Sequence, residues 1–372
     1  MEWQAAHGTS LDPQDALRQA AAGLRAAFGG GEADFALLVA SSGYGDGLES
    51  LPALACDLLG TETLAGCSSY VPISGGEELT APSVALLGGR GALSPKLHVD
   101  DLRDLPDSDG SPSHWRQRLG LPLAQGSLIF ADPYSPPGVE DFLEGLGYAW
   151  PGASLAGGFA SGDPGRCAVF AGRRCLRRSL VMLSFPEPVM RSVFCLGCRP
   201  FGPVYRVTSC QGPLLRALDE RRPVELLREL SETLPRRDRE LMRQSLFLGI
   251  ESEAFGDDED EIWLPRALRG VEAGSGALLI GENLPQGCRV RFLLRDPSSR
   301  LPGLADALAQ KHPSALVLSS CLSRAGHDGD AFTLARILPG TPHIGFHASG
   351  EITKVRQSPR LLGMSAVAAL FE

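Results

Sequence analysis

Apolar and polar positions along this chain follow a pattern that occurs three times. In the third copy a short apolar run (Ala315, Leu316, Val317, Leu318) gives way to a polar loop from Ser319 to Asp330, and then to a helix-like segment from Ala331 to Leu338. Pro339-Gly340 ends that segment, a second apolar strand runs through Ile344, and Gly345-Phe346-His347-Ala348-Ser349-Gly350-Glu351 closes the copy. The second copy has Ser127-Leu128-Ile129-Phe130, a loop through Pro137, a helix from Val139 to Leu146, and Leu155 to Gly162. The first has Phe35 to Val39, a glycine-rich loop, the segment Leu51 to Leu59, and Leu64 to Ser69. Gly66, Gly157 and Gly345 stand at matching distances after the opening strands. Each module therefore reads as strand, loop, helix, strand and tight glycine turn, with its loops left free for function.

Between the modules the pattern predicts further strands and a few helices. Thr9 or Ser10 can cap a helix from Asp12 to Phe28 that stops at Gly29-Gly30-Gly31. Strands are expected at Ser83 to Leu87, Cys167 to Phe170, Ser179 to Phe185, Met190 to Leu196, Val204 to Thr208, Leu246 to Ile250 and Val290 to Leu294. A hairpin region is expected over Ile262–Leu264 and Val271–Ile280, and a buried last strand at Met364 to Leu370. Leu214–Leu218, Pro223–Leu230 and Leu301–Leu308 read as helical. Asp100 to Ser113 reads as a surface connection, and Glu251 to Glu261 as a solvated acidic loop without the alternating oxygen ligands of a calcium site. The fold class is α+β, with mixed sheets covered by helices in two packed halves. The expected divisions are an N-terminal helix (1–31), a first domain (32–210) and a second (211–372).

Length and charge narrow the partners. With 372 residues the chain exceeds one ordinary core, and a formal charge of -9 argues against a nucleic-acid partner. The basic cluster Arg173, Arg174, Arg177 and Arg178 is read as a solvated strand edge. Nine cysteines without a dense framework, no secretory leader and no bilayer-length apolar run predict a cytoplasmic protein with reduced thiols and no membrane partner. The sequence leaves any cofactor unknown.

Two linked blocks carry a family resemblance: Ser320-Cys321-Leu322-Ser323-Arg324, and Gly345-Phe346-His347-Ala348-Ser349-Gly350-Glu351-Ile352. With Gly66-Cys67-Ser68 and Gly157-Gly158 in the first half, the chain resembles the FIST proteins, named for F-box and intracellular signal transduction. The N-terminal FIST domain resembles residues 32–210 and the C-terminal one residues 211–372. The resemblance implies a sensory or signal-input module that binds small ligands such as amino acids or related metabolites and hands its signal to a protein partner. The first thirty residues are too short for an F-box, which favours a stand-alone form. Two departures stand out: Ala325 separates Arg324 from Gly326, and Tyr70 to Ile73 precede the nearest Gly-Glu pair, Gly76-Glu77.

The same residues carry the candidate chemistry. If the turns after Leu318 and Ile344 face each other across a hollow, Arg324 could clamp a carboxylate and Glu351 accept from an amine, which suits a zwitterion. Gly345 and Gly350 would admit a ligand to the backbone, Phe346 would wall it, and Gly66, Cys67, Ser68, Gly157 and Gly158 would line the counterpart turns. An Arg324–Glu351 ion pair fastening two turns fits equally. Cys321 is either a nucleophile with His327 or His347 as base, giving a hydrolase or transferase, or a small core residue. His327, Asp328, Asp330, His343 and His347 offer ligands for a divalent metal, against which turn caps explain the aspartates. A ligand-free interaction scaffold is the third reading. Cys195-Leu196-Gly197-Cys198 lacks a second pair for zinc, neither Ser161 nor Ser349 sits in Gly-x-Ser-x-Gly, and no glycine run forms a nucleotide loop.

Overall fold

The computed structural model describes residues 1–91, 93–107, 111–120, 124–135, 137–252, 261–280, 283–296, 303–326 and 329–372. They form two compact bodies, a larger one made of Met1–Cys195 with Leu304–Glu372 and a smaller one made of Leu196–Gly303.

The larger body opens with β1 (Glu2–Thr9) and α1 (Pro13–Ala27). The first module has β2 (Phe35–Ser41), α2 (Leu51–Leu59) and β3 (Leu64–Ser69), followed by β4 (Pro72–Ser74), β5 (Glu77–Glu78) and β6 (Ser83–Arg90). After β7 (Lys96–Asp100) and α3 (Pro112–Leu119), the second has β8 (Gly126–Ala131), α4 (Val139–Ala149) and β9 (Ser154–Phe159). It continues through β10 (Val169–Ala171), β11 (Arg174–Leu176), β12 (Leu180–Phe185) and β13 (Met190–Leu196). The smaller body contains β14 (Cys198–Gln211), β15 (Leu214–Leu218), α5 (Pro223–Thr233), α6 (Arg236–Gln244), β16 (Leu246–Glu251), β17 (Trp263–Ala267), β18 (Gly270–Val271), β19 (Leu278–Leu279) and β20 (Arg289–Arg295). The chain then returns through α7 (Leu304–Leu308) to the third module, β21 (Ala315–Cys321), α8 (Asp330–Ile337) and β22 (His343–Ala348). It ends with β23 (Glu351–Val355), β24 (Ser358–Leu362) and β25 (Ser365–Phe371).

The three modules share one register. β2–β3, β8–β9 and β21–β22 are parallel pairs in which Leu38 lies opposite Gly66, Ile129 opposite Gly157 and Leu318 opposite Gly345. Every residue of β2, β3 and β8 is buried, as expected of parallel strands covered on both faces. The repeated glycine is a packing requirement: a Cβ on Gly66 would lie 1.8 Å from the Leu38 carbonyl oxygen, and on Gly157 1.9 Å from that of Ile129.

The three six-stranded sheets of this body run β1-β6-β2-β3-β10-β11, β7-β12-β8-β9-β23-β24 and β13-β25-β21-β22-β4-β5. Each centres on one parallel pair and is completed by a hairpin from a different module. β4–β5 leaves the first module for the third sheet, β10–β11 leaves the second for the first, and β23–β24 leaves the third for the second. The hairpins are thus exchanged in a closed cycle. Trp3 and Phe35 of the first sheet, Phe185 of the second and Phe371 of the third join where the sheets meet, with ring centroids 4.5–5.8 Å apart. Each such pair contributes about 0.5–1.5 kcal/mol beyond its buried area.

The mixed α+β class follows the sequence pattern, and several details depart from it. The helix cap is Asp12, whose Oδ1 accepts from Asp15 N at 2.9 Å with Pro13 in the first turn, not Thr9 or Ser10. β1 lacks an apolar period and is held by antiparallel pairing to β6. Leu214–Leu218 is a strand, because it pairs with β14 on one side and β19 on the other. α6 has no buried residue, so no apolar stripe announces it. Asp100 is buried and accepts from Leu102 N at 2.8 Å, so the stretch read as a loose surface connection is anchored where it begins. The bodies divide the chain at Cys195 and Leu304, while residues 210 and 211 end β14 inside the smaller one. Composition does not reveal that the chain comes back to complete the second sheet and to build the third around strands laid down earlier. Residues 253–260 of the expected acidic loop, and the start of the helix expected at Leu301, lie outside the described residues.

Candidate functional site

The candidate residues gather at the carboxyl ends of β21 and β22. The chain leaves β21 in a 3-10 turn, Leu322–Arg324, that folds Arg324 inward to 6% exposure. Arg324 Nε and Nη2 donate to Asp330 Oδ2 and Oδ1 at 2.9 and 2.8 Å, and Ser320 Oγ donates to the same Oδ2 at 2.6 Å. Burial pushes the Asp330 carboxyl up, but the Arg324 hydrogen bonds and charge, aided by the Ser320 hydroxyl, outweigh it and hold Asp330 below its usual range. The fork expected to grip a ligand carboxylate therefore grips Asp330 instead.

Glu351 opens β23, where it lies opposite Gly158 of β9 and is wholly buried. Its Oε2 accepts from Ser365 N at 3.1 Å and Ser365 Oγ at 2.6 Å, while Oε1 has no hydrogen-bond partner among the described residues. Burial raises its pKa to about 8, against the lowering effects of the Ser365 donors, the Cys321 thiol and the Arg324 charge. The direct Arg324–Glu351 pair and the open hollow between them are both replaced, since one partner is committed elsewhere and both side chains are packed over.

A folded-state value above the unfolded value of 4.5 fixes the sign of a stability effect. Between those values the folded chain keeps a proton that the unfolded chain releases, so stability falls as pH rises, by at most about 1.4 kcal/mol per pH unit. Denaturant midpoints of the wild type should therefore decline from about pH 5 to about pH 8 more steeply than those of Glu351→Gln. Parallel declines in the two proteins would contradict the assignment.

On the opposite face of β22, His347 is wholly buried. Its Nε2 lies 3.3 Å from Glu78 Oε1 without the alignment of a hydrogen bond, and Nδ1 has no partner among the described residues. Glu78 Oε2 accepts from Gly326 N at 2.8 Å, tying the exchanged hairpin of the first module to the loop after Arg324. The His347 carbonyl accepts from Ser69 Oγ at 3.2 Å and from Ser161 Oγ, so all three modules meet at this residue.

The other expected ligand contacts have structural duties. A Cβ on Gly345 would lie 2.7 Å from the Leu318 oxygen, one on Gly350 3.0 Å from the Phe159 ring, and one on Gly158 2.6 Å from Gly350 O and Ser319 Oγ. These glycines admit neighbouring strands and side chains. Phe346 is core, 5.7 Å from the Phe130 ring, Cys67 is buried, and Ser68 Oγ accepts from Ala168 N at 2.9 Å. His343 receives Gly76 N at 3.0 Å and has Thr341 O 2.8 Å from Nδ1, which occupies both ring nitrogens. Among the described residues no three His, Cys, Asp or Glu side chains gather around a metal position, and His327 and Asp328 lie outside those residues.

Shared register gives every strand-end residue of the third module two counterparts. Ser319 stands where the others have Val39 and Phe130, and Ser320 where they have Ala40 and Ala131. His347 replaces Ser68 and Phe159, and Glu351 replaces Pro72 and Val169. Two modules fold without these groups, so the fold alone does not call for them. Ser319 Oγ, like Glu351 Oε1, is buried without a partner among the described residues. Sequence reading passed over Ser319, Ser320, Glu78 and Ser365; setting the three copies against one another would have exposed the first two.

The model of the FIST N domain matches residues 34–221 and that of the FIST C domain residues 224–354. The chain belongs to the FIST family. It is similar over 98% of its length to the uncharacterized protein Rv0628c of Mycobacterium tuberculosis, at 30% identity covering 97% of that protein. The uncharacterized protein Mb0898c of Mycobacterium bovis is 26% identical over the same shares. FIST domains are in general sensory domains of signal transduction. In this FIST protein no helix among the described residues is long and apolar enough to cross a membrane.

Proposed function

We propose that this FIST protein is a signal-input module that takes up a small polar ligand, an amino acid or related metabolite, at the strand ends of its third module, where the packing over Arg324 and Glu351 must open to admit it. The observation that carries the reading is the set of polar side chains peculiar to that module, with Glu351 Oε1 and Ser319 Oγ buried and without a partner among the described residues. A buried polar atom without a partner costs about 1–3 kcal/mol, a cost that a ligand group placed against it removes. A neutral Glu351 donates to a ligand carbonyl or carboxylate, with the Arg324 charge nearby favouring an anionic group. Because Glu78 and Asp330 fix the loop that carries Arg324, occupancy of the site reaches the surface through that loop, where a partner protein reads it.

A thermal-shift screen of amino acids, dicarboxylates and nucleotides at millimolar concentration tests the reading. A ligand at a hundred times its Kd stabilises the native state by about 2.7 kcal/mol, a shift that is easily measured. At least one compound should raise the midpoint of the wild type and fail to raise that of Glu351→Gln. A flat response across the panel favours the ligand-free scaffold.

A further inference from the structure

We propose that Cys321 is an acyl-accepting thiol, with Glu351 as the group that takes its proton and returns it to the leaving group. This rests on the third-module site and adds a covalent step to it. Cys321 ends β21 half-buried, beside a wholly buried carboxyl one of whose oxygens has no hydrogen-bond partner among the described residues. A cysteine alone would mean little; a sequestered acid facing it supplies the partner that thiol chemistry needs.

Hydrogen-bond donors face the sulfur, although burial and the neighbouring Glu351 outweigh them and push the thiol up. Ser323 Oγ lies 3.1 Å from Cys321 Sγ and 3.1 Å from Met364 Sδ, and the backbone amides of Ser323 and Met364 also face the Cys321 sulfur. Met364 reaches that position with φ of +58°, a left-handed conformation that is costly outside glycine and that clusters at functional sites. In the first module the counterpart of Cys321 is Ser41, whose Oγ is occupied by Ser83 N at 2.9 Å. The third module has a softer nucleophile at this position, tied by the Ser323 hydroxyl instead of by a strand amide.

The geometry also changes the base. In the parallel pair Ser320 lies opposite His347 and Cys321 opposite Ala348, so the His347 ring shares the face of Ser320 and not that of Cys321. Glu351 replaces it. In the step, Cys321 Sγ attacks the carbonyl carbon of an ester or thioester while the Glu351 carboxylate takes the thiol proton. The bond from carbonyl carbon to the leaving oxygen or sulfur breaks, and Glu351 returns the proton to that atom. The products are an S-acyl Cys321 and a free alcohol or thiol, with no change of oxidation state. Burial and the neighbouring acid push the thiol up as well as Glu351, so the step should quicken as pH rises through about 8, where the carboxylate form becomes populated.

The test is acetylation of the full chain by p-nitrophenyl acetate, followed by peptide mapping. Cys210 and Cys288, similarly half-buried, serve as internal comparators. Cys321 should acetylate at least about a hundredfold faster than either, the scale of general-base assistance, and Glu351→Gln should remove that advantage while leaving the comparators unchanged. Equal labelling of the three thiols in the wild type overturns the inference without relying on any variant. If a small ligand still raises the midpoint of that protein, the binding reading stands and only the covalent step falls. If Cys321 labels fast and nothing in the ligand screen binds, the reverse holds.

Discussion

Gly157→Ala is expected to abolish folding of the larger body. The new methyl would sit 1.9 Å from the Ile129 carbonyl oxygen at φ +138°, in the middle of a buried parallel pair where neither strand can yield. A loss above about 4–5 kcal/mol belongs to the small class of drastic single substitutions, and overlap with backbone is one of its causes. Gly66→Ala faces the same obstacle at 1.8 Å from Leu38 O and should behave alike. Gly345→Ala meets Leu318 O at 2.7 Å without a left-handed φ, so overpacking of about 1–3 kcal/mol is expected there. Soluble yield and guanidinium unfolding of the three variants give the measurement. A Gly157 variant as stable as the Gly345 variant would show that the close strand approach is not what selects glycine.

Arg324→Ala should cost about 3–5 kcal/mol, because it strands the Asp330 carboxylate in a buried position with the Ser320 hydroxyl as its remaining side-chain donor among the described residues. The double variant Arg324→Met/Asp330→Leu should recover most of that loss, since removing both charges leaves no uncompensated ion. The pair also predicts acid sensitivity. Asp330 is held below its usual value, so its stabilisation is present above about pH 4 and disappears as pH falls through the lowered value. Urea midpoints at neutral and acid pH separate the two proteins. An Arg324→Ala variant within about 0.5 kcal/mol of wild type at neutral pH would place the guanidinium in solvent instead.

Much of the architecture was legible in the sequence because the modules bury both faces of their strands. Continuous apolar runs such as Phe35 to Val39 and Ala315 to Leu318, each followed at a fixed interval by glycine, mark the repeated strands, which pair in parallel. What could not be read is pairing between distant segments. Nothing in Pro72-Ile73-Ser74 says that it completes the sheet of Phe346, and nothing in Glu351-Ile352-Thr353 points to Gly157 and Gly158. The site suffered from the same gap. The sequence suggests Arg324 and Glu351 as partners across a hollow, yet Arg324 pairs with Asp330, six residues on, and Glu351 with Ser365. Those choices depend on a three-residue turn, which leaves no apolar period, and on where β25 returns, which its apolar run does not specify.

The closed exchange of hairpins has a consequence for biosynthesis. β9 must wait for β23, β4 for β22, and β21 for β25, which pairs along it and occupies an inner place in its sheet. A nascent chain emerging from the ribosome therefore carries bare strand edges from its first two modules until the last residues are made. Such edges attract other chains, so this polypeptide should depend on chaperone shielding during synthesis far more than a protein whose modules close one by one.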